Sequence, residues 1–375
     1  MIKILELGMC DENRMGGIER YLYLQYKYIN HIKFQYDFLY MSDGSMAYGQ
    51  YITESNVYHV PERSKRPIAH YFCLLKFFLN IRYKKYDVLV INASNLAQAM
   101  PLLLARLIHI PVRIVHSHTS GSETRMNLFR KIQSKINFFI VNKSATDFWA
   151  CSPEAGKYLF HRDDCFIVKN GIETFNYVFN ADRRNKVRSD FNIGKNFVIG
   201  TVGRFSSVKN HLFLLQVFDW IHSICQNTVL LFAGDDSDKN NDYLKELKRD
   251  IKRRNLSNYV IFTGYIDPIS DVYQAIDLFA LPSFHEGFSF AALEAQAADL
   301  PCLVSEGVPS MVMIGDNIKR LSIKDMKLWG ESILEIMESN YSRSDKSKLI
   351  INSGFDISTS TKDVEHYIQG KIHHE

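Results

Sequence analysis

Residues 197–233 read FVIGTVGRFSSVKNHLFLLQVFDWIHSICQNTVLLFA. The run Phe197–Val202 is short, apolar and β-branched, as a buried strand should be. Gly203 closes it, and a polar loop runs to Lys209. Asn210–Cys225 then repeats apolar residues at helical spacing, and Thr228–Ala233 is a second buried strand. Strand, loop, helix and strand in this order form a βαβ unit. Its strands must be parallel and joined by a right-handed crossover.

Outward from this unit the same alternation continues. Downstream lie the helix Asp242–Asn255 and strands Val260–Thr263, Leu278–Leu281 and Cys302–Ser305. The helix Phe290–Ala298 is rich in Ala, Leu, Glu and Gln, all good helix formers. Upstream, strands Ile2–Leu7, Tyr36–Met41, Asp87–Asn92, Val112–His116 and Asp147–Ser152 alternate with helical patterns at Ile18–Ile29, Leu96–His109 and Asn127–Asn142. The fold class is α/β: two tandem Rossmann-like, doubly wound domains with a cleft between them. Residues 1–170 form the first domain. The charged stretch 171–196 reads as a linker, 197–352 as the second domain, and 353–375 as a helical tail.

The 375 residues suit two domains, and 46% hydrophobic with 23% charged residues excludes disorder and coiled coil. A net charge of +4 gives no reason to expect a nucleic-acid partner. Six scattered cysteines form no C-x-x-C pair, so neither a disulfide framework nor a zinc ribbon is expected, and a cytoplasmic setting fits. Glu6 interrupts the first apolar run, which therefore reads as a strand rather than a signal peptide. No uncharged apolar stretch is long enough for a transmembrane helix.

Two loops concentrate chemistry. Gly203–His211 carries Arg204 and Lys209 just before a helix, a setting for a diphosphate. Pro282-Ser283-Phe284-His285-Glu286-Gly287-Phe288-Ser289-Phe290 follows a strand and opens the next helix. Gly287 allows close backbone approach, and the amides of Phe288, Ser289 and Phe290 are candidate anion donors. Glu286 and Glu294 are spaced to accept hydroxyls from two polyols in series, such as a sugar and a ribose.

Gly-Arg-x4-Lys-Asn (203–210), Ala233-Gly234-Asp235, Phe262-Thr263-Gly264, Glu286-x7-Glu294, Glu294–Ala298, Leu300–Ser305 and Val168–Ile172 occur in an order that resembles the retaining glycosyltransferases of family 4. The resemblance implies the GT-B fold, and is nearest to enzymes of bacterial capsular and exopolysaccharide synthesis. It implies that Arg204 and Lys209 hold the donor diphosphate as it leaves. It also implies that Glu286 contacts the donor sugar and that Glu294 holds the ribose hydroxyls. Gly287, Phe288, Ser289 and Phe290 would line the donor, and Tyr265 lies where the family places the base. In the first domain Met15-Gly16-Gly17-Ile18-Glu19 resembles the glycine-rich loop beside the donor phosphate, and His118 a sugar or acceptor contact. One departure is Ser289, where the family more often has Gly or Pro.

The implied donor is a nucleoside-diphosphate sugar, most naturally a UDP-sugar. The implied acceptor is a polyprenyl-diphosphate-linked or other glycan. No cofactor and no metal are expected, and Asp236-Ser237-Asp238 reads as a solvated turn. A metal at His116 and His118 would lack a third ligand. The basic stretches Arg63–Lys85, interleaved with Ile68, Tyr71, Phe72, Leu74, Leu75, Phe77, Phe78 and Leu79, and Arg125–Lys135 suit peripheral contact with the anionic inner face of a membrane. Two rival readings are a sugar-nucleotide 2-epimerase of the same fold and a non-catalytic sugar-nucleotide-binding relative. Glu286-x7-Glu294 argues against the first and the complete ligand set against the second.

Overall fold

The computed structural model describes residues 1–12, 16–121, 128–235, 240–339 and 341–373, and the chain divides into two compact units. Residues 1–171 build the first from β1 (Ile2–Leu7), α1 (Gly17–Tyr28), β2 (Phe34–Tyr40), β3 (Val57–His59), α2 (Pro67–Ile81) and β4 (Val88–Ala93). α3 (Met100–Leu107), β5 (Val112–Ser117), α4 (Leu128–Ser144), β6 (Asp147–Ala150), α5 (Pro153–Phe160) and β7 (Phe166–Ile167) complete the run. All the strand pairings are parallel, in the order β3-β2-β1-β4-β5-β6-β7.

The strand order decides where the helices lie. The chain moves one way from β1 to β2, and the other way from β3 through β4 and β5 to β6. Right-handed crossovers therefore put α2, α3 and α4 on one face of the sheet and α1 on the other. The core reflects this. Leu74 and Phe78 of α2, Leu102 and Ala105 of α3, and Val141 of α4 join Leu5, Leu89 and Val115 in one buried cluster.

The second unit contains residues 172–356: α6 (Ala181–Asp190), β8 (Phe197–Val202), α7 (His211–Ile224), β9 (Thr228–Ala233), α8 (Asp242–Arg253), β10 (Val260–Phe262), α9 (Ser270–Ala275), β11 (Leu278–Leu281), α10 (Phe290–Ala297), β12 (Cys302–Ser305), β13 (Ile318–Leu321), α11 (Met326–Glu338) and α12 (Ser347–Asn352). Its sheet is also parallel, in the order β10-β9-β8-β11-β12-β13. The two parallel-sheet Rossmann-like domains expected from the alternation are present. The short edge strands β3, β7 and β13 were not among the strands read from the sequence.

Two boundaries differ from the reading of the sequence. Residues 171–196 are no linker, because α6 packs on α9 within the second unit. Its charges are neutralised rather than solvated: Arg183 pairs with Asp271, and Arg184 and Arg188 both reach Asp277, at 2.5 and 3.1 Å. A run of arginines looks the same in sequence whether its carboxylate partners are water-exposed neighbours or lie some ninety residues downstream. The tail, α13 (Ile357–His373), belongs to the first unit. There it packs on α1, stacks Tyr367 edge-on to Trp149, and brings the Tyr367 hydroxyl and the Lys371 ammonium to Asp147 at 2.7 and 2.5 Å.

Candidate active site

In the second unit the strand order reverses between β8 and β11. The loops that leave the carboxyl ends of these adjacent strands flank a topological switch point, where ligands of open α/β sheets bind. Both loops singled out from the sequence lie there. They are fastened together: the Phe284 amide donates to the Val208 carbonyl at 2.8 Å, and Lys209 Nζ donates to Glu286 Oε1 at 2.7 Å. Lys209 and Glu286 are thus brought into one ion pair.

Each member is held from outside the pair. Ser283 Oγ donates to Glu286 Oε1 at 2.6 Å, and the Glu286 amide donates to the Gly307 carbonyl at 2.9 Å. Gly203 is in the left-handed region (φ 154°), and a Cβ there would stand 3.2 Å from the Lys209 Cε. Glycine at 203 therefore lets the lysine stem cross the loop. Gly307 matters for a similar reason, since a Cβ would collide with the carbonyl oxygens of Ser283 and Phe284. Ser283, Ser305 and Gly307 form the floor of the Glu286 loop, with Ser305 Oγ donating to the Ser283 carbonyl. The sequence reading missed these roles. The only available signal was the small residue type at each position.

Arg204 is exposed on the same loop as Lys209. Beside them His211 is buried, and burial with the nearby Lys209 charge pushes it down to about 3, so it is neutral. Ser289 caps α10: its Oγ accepts from the Ala292 amide at 3.3 Å, and its backbone is at φ 90°, a region that favours glycine. Phe288 turns inward onto Phe290 and Phe355.

Glu294 sits apart from the exposed loops. It is 1% exposed, and each carboxylate oxygen accepts a tyrosine hydroxyl, Tyr177 at 3.0 Å and Tyr273 at 2.6 Å. Tyr265 follows Gly264 and is 65% exposed. Asp236-Ser237-Asp238 and Met15 lie outside the described residues.

The first unit has its own switch point, between β1 and β4. A cavity of about 290 Å³ opens there, lined among others by Gly8, Glu19, Arg63, His70, Asn92 and Asn95. Gly16 and Gly17 start α1 at its edge, with the Gly16 amide donating to Glu19 Oε2 at 2.8 Å. A buried polar chain runs beneath the cavity. Asn92 Nδ2 donates to Glu6 Oε1, and Asn92 Oδ1 meets His118 Nε2 at 2.7 Å. Once the Asn92 amide is oriented by Glu6, its oxygen can only accept, so the His118 proton must be on Nε2. Burial lowers His118 to about 3 and raises Glu6 to about 8. Both groups are therefore neutral at pH 7. His116 meets Tyr21 and Trp149 edge-on and the His118 ring at a tilt, and burial holds it well below the usual histidine range. Glu6 and Asn92 were not among the residues singled out from the sequence.

Residues 182–353 match the family model described as Glycosyl transferases group 1. That match falls within the second unit, and the two Rossmann-like domains of the chain have the GT-B arrangement of its structural neighbours. EpsF of Bacillus subtilis (strain 168), itself named only provisionally as a glycosyltransferase, is 27% identical, covering 85% of this chain and 84% of its own. The UDP-Gal:alpha-D-GlcNAc-diphosphoundecaprenol alpha-1,3-galactosyltransferase of Escherichia coli is 22% identical over 78% and 76%. The capsular polysaccharide biosynthesis glycosyltransferase CapH of Staphylococcus aureus is 24% identical over 80% and 84%. Among solved structures, HepE of Anabaena in complex with UDP-glucose superimposes with a TM-score of 0.80 at 19% identity, covering 99% of this chain and 100% of that one. The homologues thus include proteins of bacterial capsule synthesis.

Proposed function

We propose that the protein is a retaining glycosyltransferase. It moves a sugar from a nucleoside-diphosphate sugar, a UDP-sugar by preference, to a lipid-linked glycan during synthesis of a bacterial cell-surface polysaccharide. The observation that carries the reading is the Lys209–Glu286 pair, which joins the two loops at the switch point of the second sheet. A cation and a carboxylate set side by side suit a ligand that presents a diphosphate next to a sugar.

In this reading Arg204 and Lys209 stabilise the charge that develops on the departing diphosphate, and no metal is required. Glu286 exchanges its lysine partner for a donor-sugar hydroxyl, and Glu294, held by Tyr177 and Tyr273, takes the ribose. Gly287, Phe288, Ser289 and Phe290 line the donor, Gly16 and Gly17 approach its phosphate, and His118 contacts the reacting sugar. Tyr265, 65% exposed, takes the position of the base. The UDP preference draws on HepE and on the UDP-Gal donor in the name of the Escherichia coli relative. The lipid-linked acceptor draws on the diphosphoundecaprenol in that same name.

The test is thermal stabilisation by UDP, GDP, ADP and CDP forms without added metal. A ligand present at ~100 times its Kd adds ~2.7 kcal/mol of stability. A shift with one base that Arg204→Ala abolishes supports the donor site. A flat response to every nucleotide overturns it.

A further inference from the structure

We propose that Asn92, backed by Glu6, is a positioning residue. It holds His118 with its proton on Nε2, so that Nδ1 is left as an acceptor that selects a sugar hydroxyl and turns away a carboxylate. The proposal rests on the transferase reading, in which His118 touches the reacting sugar.

The register of the first sheet brings these residues together. Glu6 of β1 stands opposite Val90 of β4, and Asn92 opposite His116 of β5. Residues two apart on a strand share a face, so Glu6, Asn92 and His116 point to the same side. The other side is apolar, with Leu5, Leu7, Ile91, Ala93 and Val115 in the core. His118 follows β5, and its amide donates to the Ala93 carbonyl at 3.0 Å. A carboxyl and an amide inside central strands are costly unless they meet partners, and here they meet each other.

Both ends of the Asn92 amide are committed. Nδ2 donates to the Leu7 carbonyl at 3.0 Å and also to Glu6 Oε1. A backbone carbonyl can only accept, so the amide cannot be turned round, whether or not Glu6 carries a proton. Oδ1 therefore faces His118 Nε2 at 2.7 Å, and the ring nitrogen must donate. Tyr21 and His116 flank the ring, with centroids at 5.2 and 3.9 Å.

Nδ1 remains. Among the described residues it has no hydrogen-bond partner, and His118 is partly open to solvent. His116 offers no substitute, because it is wholly buried with both ring nitrogens shut in. Burial disfavours the His118 imidazolium, so Nδ1 keeps its lone pair. A ligand must bring a proton to it. A hydroxyl does so, whereas a carboxylate would set lone pair against lone pair. A histidine free to change tautomer would accept from one group and donate to the other, so the choice between them is made by Asn92.

The first measurement is nuclear magnetic resonance of the full chain carrying isotope-labelled histidine, with the His118 signals identified by their loss in His118→Gln. The parent should show the proton on Nε2 alone. Asn92→Leu, close in volume and unable to hydrogen-bond, should release the ring, so that the Nδ1-protonated form appears. Glu6→Gln keeps an acceptor for the Asn92 amide and should leave the tautomer unchanged. The second measurement is calorimetric binding of UDP-glucose, UDP-galactose and UDP-N-acetylglucosamine, followed by deoxy and deoxyfluoro forms of whichever binds. In the parent, loss of one hydroxyl should weaken binding about 10–100-fold, and fluorine should not restore it. In Asn92→Leu the same change should cost at most about twofold. A merely structural Asn92 would lower the thermal midpoint and move neither readout. The proposal is overturned by an Nδ1 proton in the parent, or by a deoxy penalty that Asn92→Leu leaves intact. If Asn92→Leu fails to fold, the parent's tautomer and fluoro series decide, and fluorine that binds as well as hydroxyl overturns it. If none of the three nucleotide sugars binds while the tautomer is as expected, the transferase reading falls with the ligand assigned to Nδ1, and the hold of Asn92 on the ring stands.

Discussion

At the scale of single residues, the two cations of the candidate donor site separate by experiment. Arg204 is exposed, so Arg204→Ala should leave stability within ~0.5 kcal/mol while lowering kcat by about 100-fold. Lys209 is tied to Glu286, so Lys209→Met should lower kcat and also cost ~1–3 kcal/mol, by leaving a half-buried carboxylate short of a donor. Urea unfolding beside steady-state kinetics distinguishes the two. Ser289 offers a third case. Its φ of 90° is unfavourable for any residue with a Cβ, whereas exchange of a serine cap for glycine loses only a few tenths of a kcal/mol. Ser289→Gly should therefore stabilise the protein by ~1 kcal/mol, read as a rise in thermal midpoint. The sequence showed that serine was unusual there. It did not show why, because the reason is a backbone angle.

The buried Glu6–Asn92–His118 chain makes a pH prediction of defined sign. The Glu6 carboxyl is raised from 4.5 to about 8, so the unfolded chain loses its proton first. Its contribution is complete below pH 4.5 and is lost as pH rises towards 8. His118 runs the other way: lowered from 6.5 to about 3, it contributes fully above pH 6.5 and loses this as pH falls towards 3. Tyr21 and Tyr36 face Glu6, and His116 faces His118. The tyrosines are raised and His116 is lowered, so all three are neutral across this window. Comparison of Glu6→Gln with the parent cancels the histidines. The variant's stability relative to the parent should rise from pH 5 to pH 8. A difference that is flat with pH would show Glu6 to be charged in the folded state.

At the scale of elements, the strands that build each sheet's centre were legible, and of the edge strands only β10 was. Phe197–Val202, Thr228–Ala233, Leu278–Leu281 and Cys302–Ser305 are observed with the bounds read from the sequence, because a strand covered on both faces writes an unbroken apolar run. β3 has the sequence Val57-Tyr58-His59 and is largely exposed, so nothing but its partner β2 marks it as a strand. The Glu286 loop shows the same limit. Its acid was visible in the sequence, but the turn below it depends on Gly307, which arrives from the next strand's loop. Gly307→Ala should displace residues 283–286, costing ~1–3 kcal/mol and lowering kcat with them. An unaltered kcat would detach Glu286 from the chemistry. The sequence marked Glu294 as a candidate ribose ligand, but not Tyr177 and Tyr273, whose hydroxyls hold its carboxylate from 117 and 21 residues away.

At the scale of the whole molecule, the family resemblance put the candidate donor site in the second half of the chain, and the parallel order of both sheets followed from the alternation of strands and helices. The ownership of α13 did not, since an amphipathic helix carries no address. Removal of residues 357–375 should uncover Trp149 and strip Asp147 of its hydroxyl and ammonium donors. Calorimetry should then show the first unit melting earlier, with the second unit's transition unmoved and still raised by nucleotide. Equal loss in both transitions would mean that the units unfold as one.

The return of α13 also gives the second unit the topology of an insertion. The chain enters it at Ile172 and leaves it at Asp356, and these two residues form a bridge, with the Ile172 amide donating to the Phe355 carbonyl at 2.9 Å. On the ribosome this reverses the usual order of maturation, in which the N-terminal domain folds first. The second unit is complete when residue 356 has emerged. The first, begun earlier, still lacks the helix that covers Trp149. A premature stop soon after residue 356 would therefore release a finished second unit attached to an unfinished first one, and quality control would meet that defect in the earlier part of the chain rather than at its broken end.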